Sequence, residues 1–193
     1  MNLVIGITGS IGSGKSTIAK MFAEKGFALQ DADKVVHEIY EQDKKTINKI
    51  NKEFSGCVKD GKVDRNKLKQ IIGNNPESKK KLEQIVHPEV AKKRDEFIEK
   101  NKKCVLDVPL LFEAGVDEFC DVIITTYCPD DIRRKRVLKR GYNADIFEKL
   151  NGSQMPQINK IERSDIVIDT SKSIIITKQE INEIIYYLEG DFS

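Results

Sequence analysis

Long hydrophobic runs are missing from this chain: no stretch approaches the roughly 18 consecutive apolar residues that a membrane-spanning helix needs. A helical membrane anchor is therefore excluded, and no membrane partner is expected. The N-terminus shows no charged segment leading into an apolar core, so no signal peptide is expected and the chain is read as cytoplasmic. Cysteine is scarce as well. Cys57, Cys104, Cys120 and Cys128 form no C-x-x-C pair and no Cys/His group with zinc-finger spacing, which favours reduced thiols. Cys104, inside an apolar run, reads as a small core residue. Nor is there an excess of one charge: 33 Lys+Arg against 31 Asp+Glu leave a net charge of +2. A dedicated nucleic-acid binder is usually far more basic, so no nucleic-acid partner is expected. The abundant lysines read as solvated helix faces. No internal repeat or low-complexity linker is visible. What remains is 193 residues, enough for one compact domain with a real core, expected as a monomer or weak homo-oligomer.

One stretch organises the rest. Gly9-Ser10-Ile11-Gly12-Ser13-Gly14-Lys15-Ser16 fits the phosphate-loop pattern G-x-x-x-x-G-K-[ST] at every fixed position. An apolar run of strand length, 2–8, precedes it, and residues 17–23 follow with apolar side chains at helical spacing. Strand, glycine loop and helix together make an anion site. Gly9, Gly12 and Gly14 let the backbone take positive φ and approach a polyphosphate. Successive N–H groups then form a nest, and the helix adds its positive end. On this reading Gly12, Ser13, Gly14, Lys15, Ser16 and Thr17 bind the nucleotide, Lys15 reaches the β- and γ-phosphates, and Ser16 binds Mg²⁺. A glycine-rich turn that binds nothing is the bland alternative, and the complete match in the right context argues against it.

Four more apolar runs follow: 27–30, 103–111, 121–126 and 166–169. Their continuous apolar centres suit strands buried on both faces of a parallel sheet. With helices between them they predict a three-layer α/β fold with a five-stranded, mainly parallel sheet. Asp107 interrupts its run and must be paired or near a metal, because a bare buried carboxylate is costly. Asp31 and Asp33 follow the second strand, on the functional edge of such a sheet, although either could simply cap the next helix. The long insertion, about 34–101, reads as a helical cap. Within it 56–61 is a turn, 63–72 a capped short helix, and His87-Pro88 a kink or helix boundary. His37 sits in a helical pattern as a surface or supporting group. Pro129 opens a basic helix with Arg133, Arg134, Arg136 and Arg140, and 141–156 suits a mobile flap, together a lid over about 133–156. Thr177 or a neighbour caps a closing helix. The core is then about 1–33, 102–132 and 157–193. Phosphate loop, acceptor-binding cap and arginine-bearing lid make the layout of a small kinase.

Several blocks, in order, resemble the dephospho-CoA kinase family: 7–17, Asp31-Ala32-Asp33, Asp64-Arg65 with Leu68, Ile85-Val86-His87-Pro88, Asp107-Val108-Pro109-Leu110-Leu111-Phe112-Glu113, Gln154, and 164–169. They span nearly the whole chain. Ser10, Arg133 and Thr170 stand where that family usually has glycine, glutamine and asparagine. The resemblance implies ATP-dependent phosphorylation of the ribose 3′-hydroxyl of dephospho-CoA, with Mg²⁺ as cofactor. It implies Asp33 as the residue that orients the acceptor hydroxyl, with Arg65, His87 and Leu111 shaping the acceptor pocket. Asp107 would assist Ser16 at the metal through water, and Arg140 is the lid arginine expected to meet the migrating phosphoryl group. Two other readings share the phosphate loop: a kinase for another small acceptor such as a nucleoside monophosphate, and a slow regulatory switch.

Overall fold

The structure is a computed structural model in which residues 2–73 and 75–191 are described. The chain divides into two compact units, Met1–Gln30 with Asn101–Ser193, and Asp31–Lys100.

The first unit is built on a five-stranded sheet in the order β2-β5-β1-β6-β7, with β1 Leu3–Thr8, β2 Ala28–Asp31, β5 Lys103–Asp107, β6 Val122–Tyr127 and β7 Ile166–Asp169. β1 pairs in parallel with β5 and β6, and β6 pairs in parallel with β7. All six residues of β1 are buried, as its continuous apolar run requires of the central strand. Helices α1 (Lys15–Glu24) and α9 (Ile174–Asp191) belong to this unit, as do α6 (Asp130–Lys139), α7 (Ala144–Gly152) and α8 (Gln157–Glu162). Ile18, Ala19, Met21 and Phe22 of α1 and Ile181, Ile185 and Leu188 of α9 join Leu3, Ile5 and Ile7 in one apolar cluster. Phe22 and Phe27 meet edge to face with centroids 5.5 Å apart, which fixes the return of the chain from α1 into β2.

Parallel pairing brings the ends of three strands to one edge. Ile7 is in register with Asp107, and Thr8 with Thr125. Val108 N–H donates to Ile7 O across 3.0 Å, so the chain leaves β5 directly beside the loop that leaves β1. The strand expected over 103–111 stops at Asp107, and residues 109–115 turn away. The stretch 141–156, expected as a flap, contains α7, capped by Asn143, whose Oδ1 accepts from Ile146 N–H at 2.9 Å. In α9 the cap is Ser173, and Thr177 lies one turn inside.

The second unit packs α2 (Ala32–Gln42), α3 (Lys44–Glu53), α4 (Arg65–Ile72) and α5 (Pro76–Lys100) around Val35, Ile39, Ile47, Ile50, Leu68 and Val86. Aspartates begin three of these helices. Asp31 accepts from Asp33 and Lys34 N–H, Asp43 from Thr46 N–H, and Asp64 from Asn66 and Lys67 N–H. Each cap is worth on the order of 1 kcal/mol. The expected turn at 56–61 is a small hairpin, β3 (Val58–Lys59) with β4 (Lys62–Val63). Its centre is Asp60 and Gly61, at φ 50° and 75°, the Asp-Gly pair that a tight hairpin favours. No helix boundary occurs at Pro88, which lies inside α5. Proline removes one donor, and the packing of Leu82, Ile85, Val86 and Val90 on either side holds the helix together.

Candidate active site

The phosphate loop leaves β1 and ends at Gly14, the N-cap of α1. Gly12 and Gly14 have φ of 82° and 93°, left-handed values that only glycine takes without strain. Gly12 has a second constraint: a Cβ there would sit 2.6 Å from the backbone oxygen of Arg133. The cap of α1 has no side-chain hydrogen bond and its first turn has no acid. The helix therefore presents its free N–H groups and its positive end without local competition. Ser13 N–H donates to Ser10 O at 3.0 Å, which closes the loop on itself. Ser13 Oγ is buried against Thr126 Oγ1 at 2.7 Å, which ties the loop to the end of β6. Ser16 and Thr17, in the first turn of α1, are exposed.

Lys15 forms an ion pair with Asp107. The carboxylate is 3 % exposed at the end of β5, and the ammonium supplies the counter-charge its burial demands. A cation and a buried carboxylate thus share one position beside the loop. No cluster of three His, Cys, Asp or Glu residues that could hold a metal occurs among the described residues. A caged metal is not what this donor set fits. Mg²⁺, which keeps several waters and takes one or two protein oxygens alongside substrate phosphate, would find candidate oxygens in Ser16 Oγ and Asp107.

Beyond Asp107, the loop 108–115 is held from below. Pro109 O accepts from Thr8 Oγ1 at 3.1 Å and from Lys160 Nζ at 2.7 Å. Lys160 is fully buried and also pairs with Glu113 at 3.1 Å. Burial pushes the Lys160 ammonium below the ordinary lysine range, Lys15 adds to the shift, and Glu113 opposes it. Burial pushes Glu113 up, but Met155 N–H and Lys160 outweigh it and hold its carboxyl below the usual value. Leu111 is fully buried, and its Cδ1 occupies the space that the missing side chain of Gly6 leaves. Its side chain therefore packs in the core beneath the loop.

Two arginines of α6 close on the loop from outside. Arg133, 2 % exposed, donates to Ile11 O and to Asn151 Oδ1, both at 3.0 Å, and pairs with Asp130 at 2.7 Å. Arg136 donates to Gly12 O at 3.3 Å and to Thr170 O at 2.7 Å. Arg140 ends α6 as its C-cap and is exposed. Gln154 Oε1 accepts from Ile11 N–H at 2.9 Å.

Asp33, Arg65 and His87 belong to the second unit and are all exposed. Asp31 is the cap of α2, and Asp33 lies exposed in its first turn. Arg65 lines an open groove of about 590 Å³ with Tyr40, Lys69 and Lys79. His37 is exposed beside Glu41 at 3.7 Å.

The model of the dephospho-CoA kinase family matches residues 3–175. The chain belongs to the dephospho-CoA kinase family. It is 42 % identical over 201 residues to a dephospho-CoA kinase of Rhizobium etli, covering 98 % of both chains. It is 39 % identical over 177 residues to one of Fusobacterium nucleatum, covering 89 % of this chain and 91 % of that one. Among solved structures, the Campylobacter jejuni dephospho-CoA kinase superposes with a TM-score of 0.75 at 29 % identity, covering 99 % of this chain and 100 % of that chain. A Thermus thermophilus protein gives 0.85 at 29 % identity, with 97 % of each chain covered. The shikimate kinase of Acinetobacter baumannii, at 15 % identity and 0.58, shares the fold, covering 99 % of this chain and 95 % of that chain.

Within a dephospho-CoA kinase framework, two of this chain's unusual residues acquire a place. Arg133 and Thr170 both touch the phosphate loop, and Thr170 Oγ1 donates to Ser13 O at 2.5 Å. The loop contacts of Arg133 and Arg136, and the burial of Lys160, escape the sequence reading. For the arginines a signal exists: 133, 136 and 140 lie at i, i+3 and i+7, one face of a helix. For Lys160 there is none, because nothing local separates one buried lysine from many solvated ones.

Proposed function

We propose that this protein transfers the γ-phosphoryl group of ATP to the ribose 3′-hydroxyl of dephospho-CoA, giving coenzyme A and ADP. The observation that carries the reading is the phosphate loop of a dephospho-CoA kinase family chain, with Lys15 paired to a buried Asp107 at the adjoining strand end. The backbone N–H groups of Gly12 to Thr17 and the Lys15 ammonium hold the triphosphate. Lys15 exchanges part of its contact with Asp107 for phosphate oxygen, which leaves the carboxylate facing the site. Ser16 Oγ and Asp107 would then hold Mg²⁺, which when bound neutralises charge on the phosphates. Asp33 orients the 3′-hydroxyl. The hydroxyl oxygen attacks the γ-phosphorus, the bond to the bridging oxygen of ADP breaks, and the hydroxyl proton passes to Asp33. Phosphoryl transfer proceeds through a loose transition state, so alignment and charge stabilisation matter more than base strength. Arg140 from the lid meets the developing charge, and Arg65 and His87 hold the acceptor.

The enzyme works in the cytoplasm as a monomer or weak homo-oligomer. Cys57, Cys104, Cys120 and Cys128 are all free thiols, in keeping with a reducing compartment. No helix among the described residues is long and apolar enough to cross a membrane. The substrate assignment is tested by ADP release in a coupled assay with ATP, Mg²⁺ and a panel of acceptors. Turnover with dephospho-CoA is expected to exceed that with any nucleoside monophosphate. Turnover on a nucleoside monophosphate and none on dephospho-CoA would reject it.

A further inference from the structure

Three successive carbonyls of the phosphate loop are each taken by a side chain from outside the loop. Ile11 O accepts from Arg133 Nη1 at 3.0 Å, Gly12 O from Arg136 Nη1 at 3.3 Å, and Ser13 O from Thr170 Oγ1 at 2.5 Å. The three donors are tied together. Arg136 Nη1 also donates to Thr170 Oγ1 at 3.1 Å, and Arg136 Nη2 to Thr170 O at 2.7 Å. Arg133 is 2 % exposed and Thr170 is 8 % exposed, so neither donor is a mobile surface group. No peptide bond among the described residues is cis. In a planar trans peptide the C=O and the following N–H point in opposite directions. Holding the carbonyls of residues 11, 12 and 13 outward therefore turns the N–H groups of 12 and 14 the other way, while that of 13 closes on Ser10 O at 3.0 Å. That is the side on which an anion nest must present them.

Glycine makes this control necessary. Gly12 and Gly14 have φ of 82° and 93° and no side chain to bias the adjoining peptide planes. A flipped peptide would aim a carbonyl dipole at the phosphates in place of an N–H. We propose that Arg133, Arg136 and Thr170 are positioning residues for the nucleotide's polyphosphate, fixing the peptide planes of 11–14 so that the N–H groups of Gly12 and Gly14 converge on the β-phosphate. Arg133 carries a further consequence. Its Nη1 also donates to Asn151 Oδ1 in α7, and Ile11 N–H is bound by Gln154 just beyond that helix. The lid segment thus grips the same residue of the loop at both polar atoms.

The inference rests on the loop holding a polyphosphate, and the test separates the two. Dissociation constants for ATP, ADP and AMP are measured by calorimetry on the full chain and on Arg133→Met, Arg133→Gln and Thr170→Val. Loss of one charge-assisted bond to the loop is expected to weaken ATP and ADP about 10-fold or more in Arg133→Met. AMP, which has no β-phosphate, is expected to change less than about twofold, a difference that general loosening would not produce. Arg133→Gln retains an N–H for Ile11 O and is expected to recover most of the loss. Thr170→Val keeps the shape and removes the hydroxyl, with an expected loss for ATP of about 3- to 10-fold. KM for dephospho-CoA at saturating ATP is expected to stay at its wild-type value in each variant. Folded Arg133→Met that binds ATP as the wild type does, or that loses AMP as much as ATP, overturns the inference. Should Arg133→Met not fold, Thr170→Val decides, and wild-type ATP affinity there overturns it. Failure of the wild type itself to bind ATP would instead sink the reading of the loop.

Discussion

Lys160→Met is the substitution whose effect the structure specifies most closely. The lysine side chain is 0 % exposed, its ammonium lies 2.7 Å from Pro109 O and 3.1 Å from Glu113 Oε1, and Glu113 is 24 % exposed. Methionine fills most of the stem volume, so the change isolates the charge. Removing one partner of a buried ion pair costs about 3–5 kcal/mol when the other charge is stranded. Here it is not stranded. Glu113 keeps water on part of its side chain and the Met155 N–H at 2.7 Å, while Pro109 O keeps Thr8 Oγ1 at 3.1 Å. Relief of the ammonium's burial offsets some of the loss as well. The expected net cost is therefore smaller, about 2 kcal/mol, close to one or two lost charge-assisted hydrogen bonds. For a chain of this size that lowers the melting temperature by roughly 4–8 °C. Urea unfolding should show a lower midpoint with an unchanged slope. A Lys160→Met/Glu113→Gln double variant should lose clearly less than the sum of the two single changes, because the pair couples. Wild-type stability in Lys160→Met, or additive losses in the double variant, would refute this account of the buried lysine.

Three further outcomes follow from the same geometry. Gly12→Ala forces a side chain onto a backbone at φ 82° and within 2.6 Å of Arg133 O, so ATP affinity is expected to fall below detection by calorimetry while the helices remain by circular dichroism. Asp33→Asn should bind ATP nearly normally and turn over at least ~10²-fold more slowly in the coupled assay, within the scale of lost acceptor positioning; wild-type turnover would remove Asp33 from the reaction. Acid should destabilise the fold through three carboxylates held below their ordinary values: Glu113 by Met155 N–H and Lys160 against the effect of burial, Asp43 by Thr46 N–H, and Asp169 by the Ser171 hydroxyl and N–H. Because their folded values lie below the unfolded 4.5 and 3.8, their contribution is complete above those values and is lost as pH falls through the folded ones. Unfolding free energy should drop steeply below about pH 4, and Glu113→Gln should make that drop shallower in urea titrations at stepped pH.

How much of this could be read without coordinates depends on how far each interaction reaches along the chain. The phosphate loop is local: its glycines, its lysine and the flanking strand and helix all lie within 2–24, and the residues alone predict the nest. The five sheet strands are legible for the same reason, since each is a short apolar run. Their order, with β1 between β5 and β6, is set by which faces pair and by connections many residues long. That Asp107 needs a partner follows from its place in an apolar run, but that the partner is Lys15 is a fact of strand register. Leu111 is a similar case, because only packing reveals that its side chain fills the gap over Gly6. The hairpin at Asp60-Gly61 had a local signal that composition obscured. Pro88 inside α5 shows tertiary packing overriding a helix breaker. Lys160 is the hardest case, since its burial is decided by Pro109 and Glu113, some fifty residues away.

The central claim concerns where one phosphate ends up, and phosphorus NMR of the product reports it directly. After incubation of the protein with ATP, Mg²⁺ and dephospho-CoA, the account predicts a new phosphomonoester coupled to the ribose H3′, formed in equal amount with ADP. A phosphomonoester at any other position, or ADP formed without one, would contradict it.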